Sequence, residues 1–204
     1  MTLLILLTIS YALGCLTPGY YLVRWRTGQD LRALGSGGVG ATNAGRTLGK
    51  SGFFITGVGD AAKAALAVGL ARWLHPADWV WMLALLAVVA GHIWPMQLGF
   101  RGGKGIACGI GGLLIFDPLL FVALLGLFVI LYLIVLAVPR LRRLPRNYYL
   151  PGVTIILAAP VYAWIMGHSQ PAVALIILLV ILLLWANLSN MRKLWRGRGE
   201  RVKG

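Results

Sequence analysis

Acidic residues are nearly missing from this chain. Its 204 residues hold five Asp and Glu against 19 Lys and Arg, a net charge of +14. Charge of either sign is scarce, at 12% of residues, where a soluble domain carries about 25%. With 59% of residues apolar and a mean hydropathy of +0.84, that shortage excludes a disordered chain and argues against an ordinary water-soluble domain. Cysteine is limited to Cys15 and Cys108, both inside apolar stretches. Their spacing suits neither a metal site nor a disulfide framework, so both are expected to be small buried side chains. Internal repeats and low-complexity linkers are absent as well.

What is there is apolar length. A membrane-spanning helix needs about 20 mainly apolar residues. Seven stretches are read as spans: 1–23, 51–74, 79–99, 106–116, 118–138, 151–167 and 172–186. The first has no charge and no leading cation, so it reads as a span and not as a cleaved signal. The chain is therefore expected to be an all-α integral membrane protein, one polytopic domain over 1–204. Basic residues collect in cytoplasmic loops. Segments 24–50, 101–104, 140–146 and the tail 187–204 carry 17 of the 19 Lys and Arg. Placing all four in the cytoplasm predicts an outside N-terminus, seven transmembrane helices and a cytoplasmic C-terminus. The stretch 106–116 is about half a usual span, yet without it 101–104 and 140–146 would fall on opposite sides. The charge pattern thus predicts that 105–117 crosses, tilted or with local thinning of the bilayer.

Four segments could carry chemistry. Residues 27–51 read TGQDLRALGSGGVGATNAGRTLGKS within a loop expected over 24–50. Gly35, Gly37 and Gly40 form a G-x-G-x-x-G, but a dinucleotide site needs a strand before it and a βαβ unit around it. Gly49-Lys50-Ser51 resembles the end of a P-loop, but Ala44 stands where that motif needs its first glycine. What survives both rejections is an anion cradle of converging backbone N–H groups. Ser36, Thr42 and Asn43 add neutral donors, and Arg46 adds a fork that suits phosphate. Taken alone, the loop reads rather as a flexible connector with orienting cations.

Residues 91–105, GHIWPMQLGFRGGKG, place Gly102, Gly103, Lys104 and Gly105 before an apolar helix, a ready anion site. Arg101 supplies a second cation, and His92 is read as a polar support for the loop. Gln97 stands where a His-x4-Asp acyltransferase motif would need its acid. Asp60 and Lys63 share one face of the second span, where unpaired charge is costly. They are expected to pair, as functional groups or as structural glue. In the tail, Asn187, Asn190 and Lys193 recur at three-residue spacing; alone they read as a basic segment near anionic lipid.

Together these segments resemble the bacterial acyl-phosphate:glycerol-3-phosphate acyltransferase family (PlsY). The resemblance runs through DLRALGSGGVGATNAGRTLGKSGF, D-x-x-K at 60–63, GHIWPMQLGFRGGKGIA, and N-x-x-K…G…E at 190–200. It implies seven membrane helices with the motif loops on the cytoplasmic side of the inner membrane. It also implies acyl transfer from acyl phosphate to the 1-hydroxyl of glycerol 3-phosphate, without metal, cofactor, acyl-CoA or acyl carrier protein. Partners would be the two substrates and membrane lipid, with no nucleic acid. Ser36, Arg46 and Lys104 would be catalytic. Gly37, Gly40, Thr42, Asn43, His92, Arg101, Gly102, Gly103, Gly105, Asn187, Asn190 and Lys193 would bind substrate. No strong protein base is evident, so a substrate phosphate is expected to take the hydroxyl proton.

The chain departs from the family pattern at Gly38, where Asn is usual, and at Asn187, where His is usual. It departs also at Arg101, for Lys, and Ala64, for Gly, and Gly197 to Glu200 is one residue longer than usual. A conduit for a small phosphorylated anion and an inactive membrane paralogue remain as alternatives. Against a conduit, spans 1, 5 and 7 are almost free of polar residues. Against inactivity, Arg46 and Lys104 are both present.

Overall fold

The computed structural model describes residues 2–138 and 149–200. The basic segment 140–146 therefore lies outside the described residues. Every regular element among the described residues is helical, and they form two compact units, divided at Asp117/Pro118.

Among the described residues the first unit holds five α-helices. α1 (Leu3–Cys15) and α2 (Pro18–Thr27) share one apolar stretch, broken where Pro18 starts a new helix. Proline lacks the N–H that would continue the ladder, so it serves as a first residue and not as an interior one. α3 runs over Ala41–Leu74 and is bent at Gly49, whose φ of 72° is left-handed. The loop expected to reach residue 50 therefore ends at Gly40. Residues 41–48 form a short helix that turns back onto the long one. A Cβ on Gly45 would meet Phe53 Cβ at 2.9 Å, and one on Gly52 would meet Ala44 O at 2.7 Å. Periodicity could not show this, because the short helix presents few apolar residues.

α4 (Asp78–Ile93) and α5 (Ile106–Phe116) complete the unit. α4 crosses α1 with backbones almost touching at Gly14 and Gly91; a Cβ on Gly14 would lie 3.0 Å from Gly91 Cα. Small residues at such crossings let van der Waals packing replace the hydrophobic force that lipid does not supply. α5 packs Gly111 against the Ala61 backbone of α3 and Gly112 against Leu85 of α4.

The second unit holds α6 (Pro118–Ala137), α7 (Tyr149–Ile165) and α8 (Gln170–Glu200), with α7 packed on both α6 and α8. Gly167, at φ 79°, ends α7, and His168 N donates to Ala163 O at 3.1 Å. The tail expected to begin at 187 continues α8 as helix to Glu200.

Among the described residues five stretches are long and apolar enough to cross a bilayer: Leu3–Thr27, Ala41–Leu74, Asp78–Leu98, Pro118–Ala137 and Gln170–Leu188. Ile106–Phe116 and Ile156–Ile165 are shorter apolar helices. Large apolar side chains stand outward along them, among them Phe54, Leu66, Val122 and Ile181. Trp25 and Trp73, both strongly exposed, sit near opposite ends of the first unit, where amphipathic rings favour the membrane–water boundary. The chain is a multi-pass membrane protein.

Candidate active site

Both glycine loops lie at one end of the first unit. The first leaves α2 and enters α3; the second leaves α4 and enters α5. Leu98 of the second loop is buried with Val23, Leu31, Val39 and Ala44 around the first. A guanidinium completes the tie. Arg32 grips Asp30 with Nε and Nη2 at 3.0 and 2.6 Å, while Nη1 donates to Leu98 O at 2.6 Å. Its charged carbon lies 5.4 Å from the Tyr20 ring centre. The hydrogen bond from Arg32 holds the Asp30 carboxyl below its usual range, and the same bond raises Arg32.

Asn43 organises the first loop from beneath. Its amide nitrogen donates to Leu31 O at 3.1 Å and to Leu34 O and Gly38 O at 2.9 Å. Its side-chain oxygen accepts from Ser36 N at 2.9 Å. Asn43 is buried at 2% exposure, so this expected substrate contact faces inward, saturated by backbone. Above it, Gly35 and Gly37 take φ values of 53° and 76°, a left-handed backbone that side chains resist. Ser36 is carried between them. Ser36, Thr42 and Arg46 are exposed, Thr42 and Arg46 on the short helix that begins after Gly40. Gly38 is not held to glycine by space: an added Cβ would find Ser36 Oγ at 3.8 Å as its nearest neighbour.

The second loop folds back into the bundle. Gly102 N donates to Ile93 O at 3.0 Å, and Gly103 N to His92 O at 2.9 Å. A Cβ on Gly103 would strike the His92 ring, with Cε1 at 2.7 Å, so only glycine passes there. Phe100 is held at φ 60°, a costly conformation for an aromatic residue. Lys104 is half-buried, Arg101 is exposed, and Gly105 caps α5 at φ 78°. His92 itself is 3% exposed; it meets this loop from below and offers substrate no open face.

Asp60 and Lys63 pair as expected, with Oδ1 to Nζ at 2.9 Å, and His92 Nδ1 lies 2.9 Å from Lys63 Nζ and 3.2 Å from Asp60 Oδ1. Asp60, His92 and Cys108 bring three ligand-type atoms within 4.8 Å of one another. The Lys63 ammonium already takes the place a metal cation would need there. Among the residues not expected at the site, Asp30, Arg32 and Gln97 emerge as its ties; the amide of Gln97 donates to Cys15 O. For Gln97 the signal available was Pro18: a broken helix leaves carbonyls that something polar must meet.

Asn187 lies on α8 in the second unit, where its amide donates to Leu183 O at 2.7 Å. Asn190 and Lys193 continue that helix, but their side chains lie outside the described residues.

A family model described as "Glycerol-3-phosphate acyltransferase" matches residues 4–197. The chain belongs to the glycerol-3-phosphate acyltransferase family. "Glycerol-3-phosphate acyltransferase 1" of Desulfitobacterium hafniense (strain Y51) is 45% identical over 193 residues, covering 94% of this chain and 90% of that relative. "Glycerol-3-phosphate acyltransferase" of Synechococcus sp. (strain CC9902) is 39% identical, covering 98% and 94%. The fold matches a crystal structure of PlsY (YgiH), an integral membrane glycerol 3-phosphate acyltransferase, in its glycerol 3-phosphate form. That match has a TM-score of 0.83 and 28% identity and covers 96% of this chain and 93% of the other. The lysophosphatidic acid form of the same protein matches with a TM-score of 0.79 and 27% identity. In this acyltransferase chain the two glycine loops lie at one end of the first unit.

Proposed function

We propose that the chain transfers an acyl group from acyl phosphate to the 1-hydroxyl of glycerol 3-phosphate, giving lysophosphatidic acid and phosphate. The observation that carries this reading is the union of the two glycine loops through Arg32 and Leu98. It gathers Ser36, Arg46 and Lys104 at one end of the bundle. Both substrates carry phosphate, so such a site needs cations and aligned N–H donors more than a nucleophile.

The 1-hydroxyl oxygen attacks the acyl carbon, the bond from that carbon to the phosphate oxygen breaks, and the hydroxyl proton passes to a phosphate oxygen. Acyl phosphate is already activated, so positioning and charge stabilisation carry the rate. In this reading the turn through Gly102, Gly103 and Gly105, whose first two N–H groups are spent on Ile93 O and His92 O, presents Lys104 to the acyl phosphate. Ser36, Arg46 and Lys104 meet glycerol 3-phosphate and the developing charge, with Gly37, Gly40, Thr42 and Arg101 at the rim. Asn187, Asn190 and Lys193 are also read as substrate-binding. No cofactor takes part.

The whole chain forms a single membrane domain of seven crossings, with the N-terminus outside and the active site on the cytoplasmic side of the bacterial inner membrane. Two findings support α5 as a crossing despite its 11 residues. Its entry loop dips to His92, and its last turn reaches the opposite end, where Arg72 donates to Ile115 O at 3.0 Å and Phe116 meets Trp81.

The test is direct. Protein in lipid is supplied with palmitoyl phosphate and glycerol 3-phosphate, and phosphate and lysophosphatidic acid are measured. Product that requires both substrates, without metal or CoA, is expected. No consumption of acyl phosphate by folded protein would overturn the reading.

A further inference from the structure

The proposed reaction leaves unused the most expensive group in the first unit, the buried ammonium of Lys63. It is 4% exposed, between Asp60 at 1% and His92 at 3%. Its partners lie on three different helices. Lys63 Nζ donates to Gly14 O at 3.0 Å and to Leu16 O, both at the end of α1.

The reason begins with Pro18. Having no N–H, it cannot bond the carbonyl four residues earlier, which is Gly14 O. Carbonyls left open at membrane depth cost several kcal/mol each, and a cation at a helix C-terminus answers them well. Lys63 meets Gly14 and Leu16, and Gln97 meets Cys15 between them. Both caps lead to the second glycine loop. Gln97 belongs to it. Lys63 reaches it through His92, whose Nδ1 it touches at 2.9 Å, whose carbonyl receives Gly103 N, and whose ring lies against Gly103. The same Nδ1 lies 3.2 Å from Asp60 Oδ1, so ammonium, carboxylate and ring form one buried cluster beneath Gly103.

We propose that Lys63, oriented by Asp60, is a positioning residue for acyl transfer: it locks the break in the first span to His92 and thereby sets where Gly102, Gly103 and Lys104 stand. The inference rests on the reaction proposed above. Neither Asp60, Lys63 nor His92 touches substrate in this arrangement; they act through the loop.

The test compares wild type with Asp60→Asn/Lys63→Met in lipid, measuring thermal unfolding, kcat, and KM for palmitoyl phosphate and glycerol 3-phosphate. Removing both charges together leaves no unpaired buried ion, but Gly14 O and Leu16 O lose their donor, so the double variant is expected to fold with a lowered midpoint. Its kcat should nevertheless fall about 100-fold, the cost of a loop displaced by about 1 Å. A second pair of variants probes the contact itself. Gly103→Ala drives a methyl into the His92 ring and should lose turnover. His92→Ala in that background opens the space, so Gly103→Ala/His92→Ala should turn over faster than Gly103→Ala alone.

Folded Asp60→Asn/Lys63→Met with wild-type kcat and both KM values would overturn the inference. So would additive losses in the Gly103 and His92 pair, which decides the matter even where the first variant fails to fold. Wild type that turns over normally beside such results leaves the reaction standing and removes only the positioning role. A silent wild type overturns both.

Discussion

Asn43 spends all its hydrogen-bonding capacity on its own loop. Asn43→Ala would strand three carbonyls and one N–H, each losing part of about 1–3 kcal/mol. Because the loop is partly wet, a loss of about 2–4 kcal/mol in stability is expected, read as a lower midpoint in thermal unfolding, with a raised KM for glycerol 3-phosphate. Lys104→Ala is the contrasting case. It removes the cation of the glycine turn, so transfer should vanish while the protein still inserts; unchanged turnover would sink its assignment. Asp30 gives a pH signature. Its carboxyl lies below the ordinary value of 3.8, so the Arg32 grip is complete above that value and is lost as the pH falls through the lowered one. Acid loosening of the loop is expected on the acid side of the ordinary aspartate range and should be absent in Asp30→Asn, followed by tryptophan fluorescence. Residue spacing brought Asn43 and Ser36 into one motif, but spacing cannot say which side chain turns inward. That is decided by the left-handed turns at Gly35 and Gly37, which swing Ser36 out and leave Asn43 beneath.

At the scale of elements, the apolar stretches were legible because hydrocarbon demands length; five of the seven coincide with helix, while 1–23 is broken before Pro18 and 79–99 leaves the helix after Ile93. The bend at Gly49 was not, because a left-handed glycine inside a run of helix formers looks in sequence like any other glycine. The short α5 also had to be seen in place. At 1.5 Å per residue it is about 16 Å long, about half the hydrocarbon thickness of a bilayer. Its loop supplies the rest by descending to His92. Such a helix has no slack in its packing. A Cβ on Gly111 would already collide with the Ala61 backbone, with Cα at 2.6 Å. Gly111→Val should therefore destabilise by about 3 kcal/mol, the upper end for overpacking, and lower the yield of monodisperse protein. Wild-type melting in that variant would mean that α3 and α5 do not meet as described.

For the whole molecule, α5 decides the parity of the crossings. Pro76, before α4, and Gln170, at the start of α8, are both exposed, as is Gln29 in the first glycine loop. Between Pro76 and Gln170 the chain passes through α4, α5, α6 and α7. Four crossings return it to the side it left, and three do not. The native thiols, Cys15 and Cys108, are buried, so single cysteines can be introduced against a quiet background. Pro76→Cys, Gln170→Cys and Gln29→Cys would each be treated in intact cells with a maleimide that cannot cross the membrane. With seven crossings and an outside N-terminus, Pro76→Cys and Gln170→Cys label from outside and Gln29→Cys labels only after lysis. If α5 turns back without crossing, Gln170→Cys joins Gln29→Cys on the protected side while Pro76→Cys still labels. An inverted protein would expose Gln29→Cys alone, placing both glycine loops away from the cytoplasm and from the glycerol 3-phosphate held there.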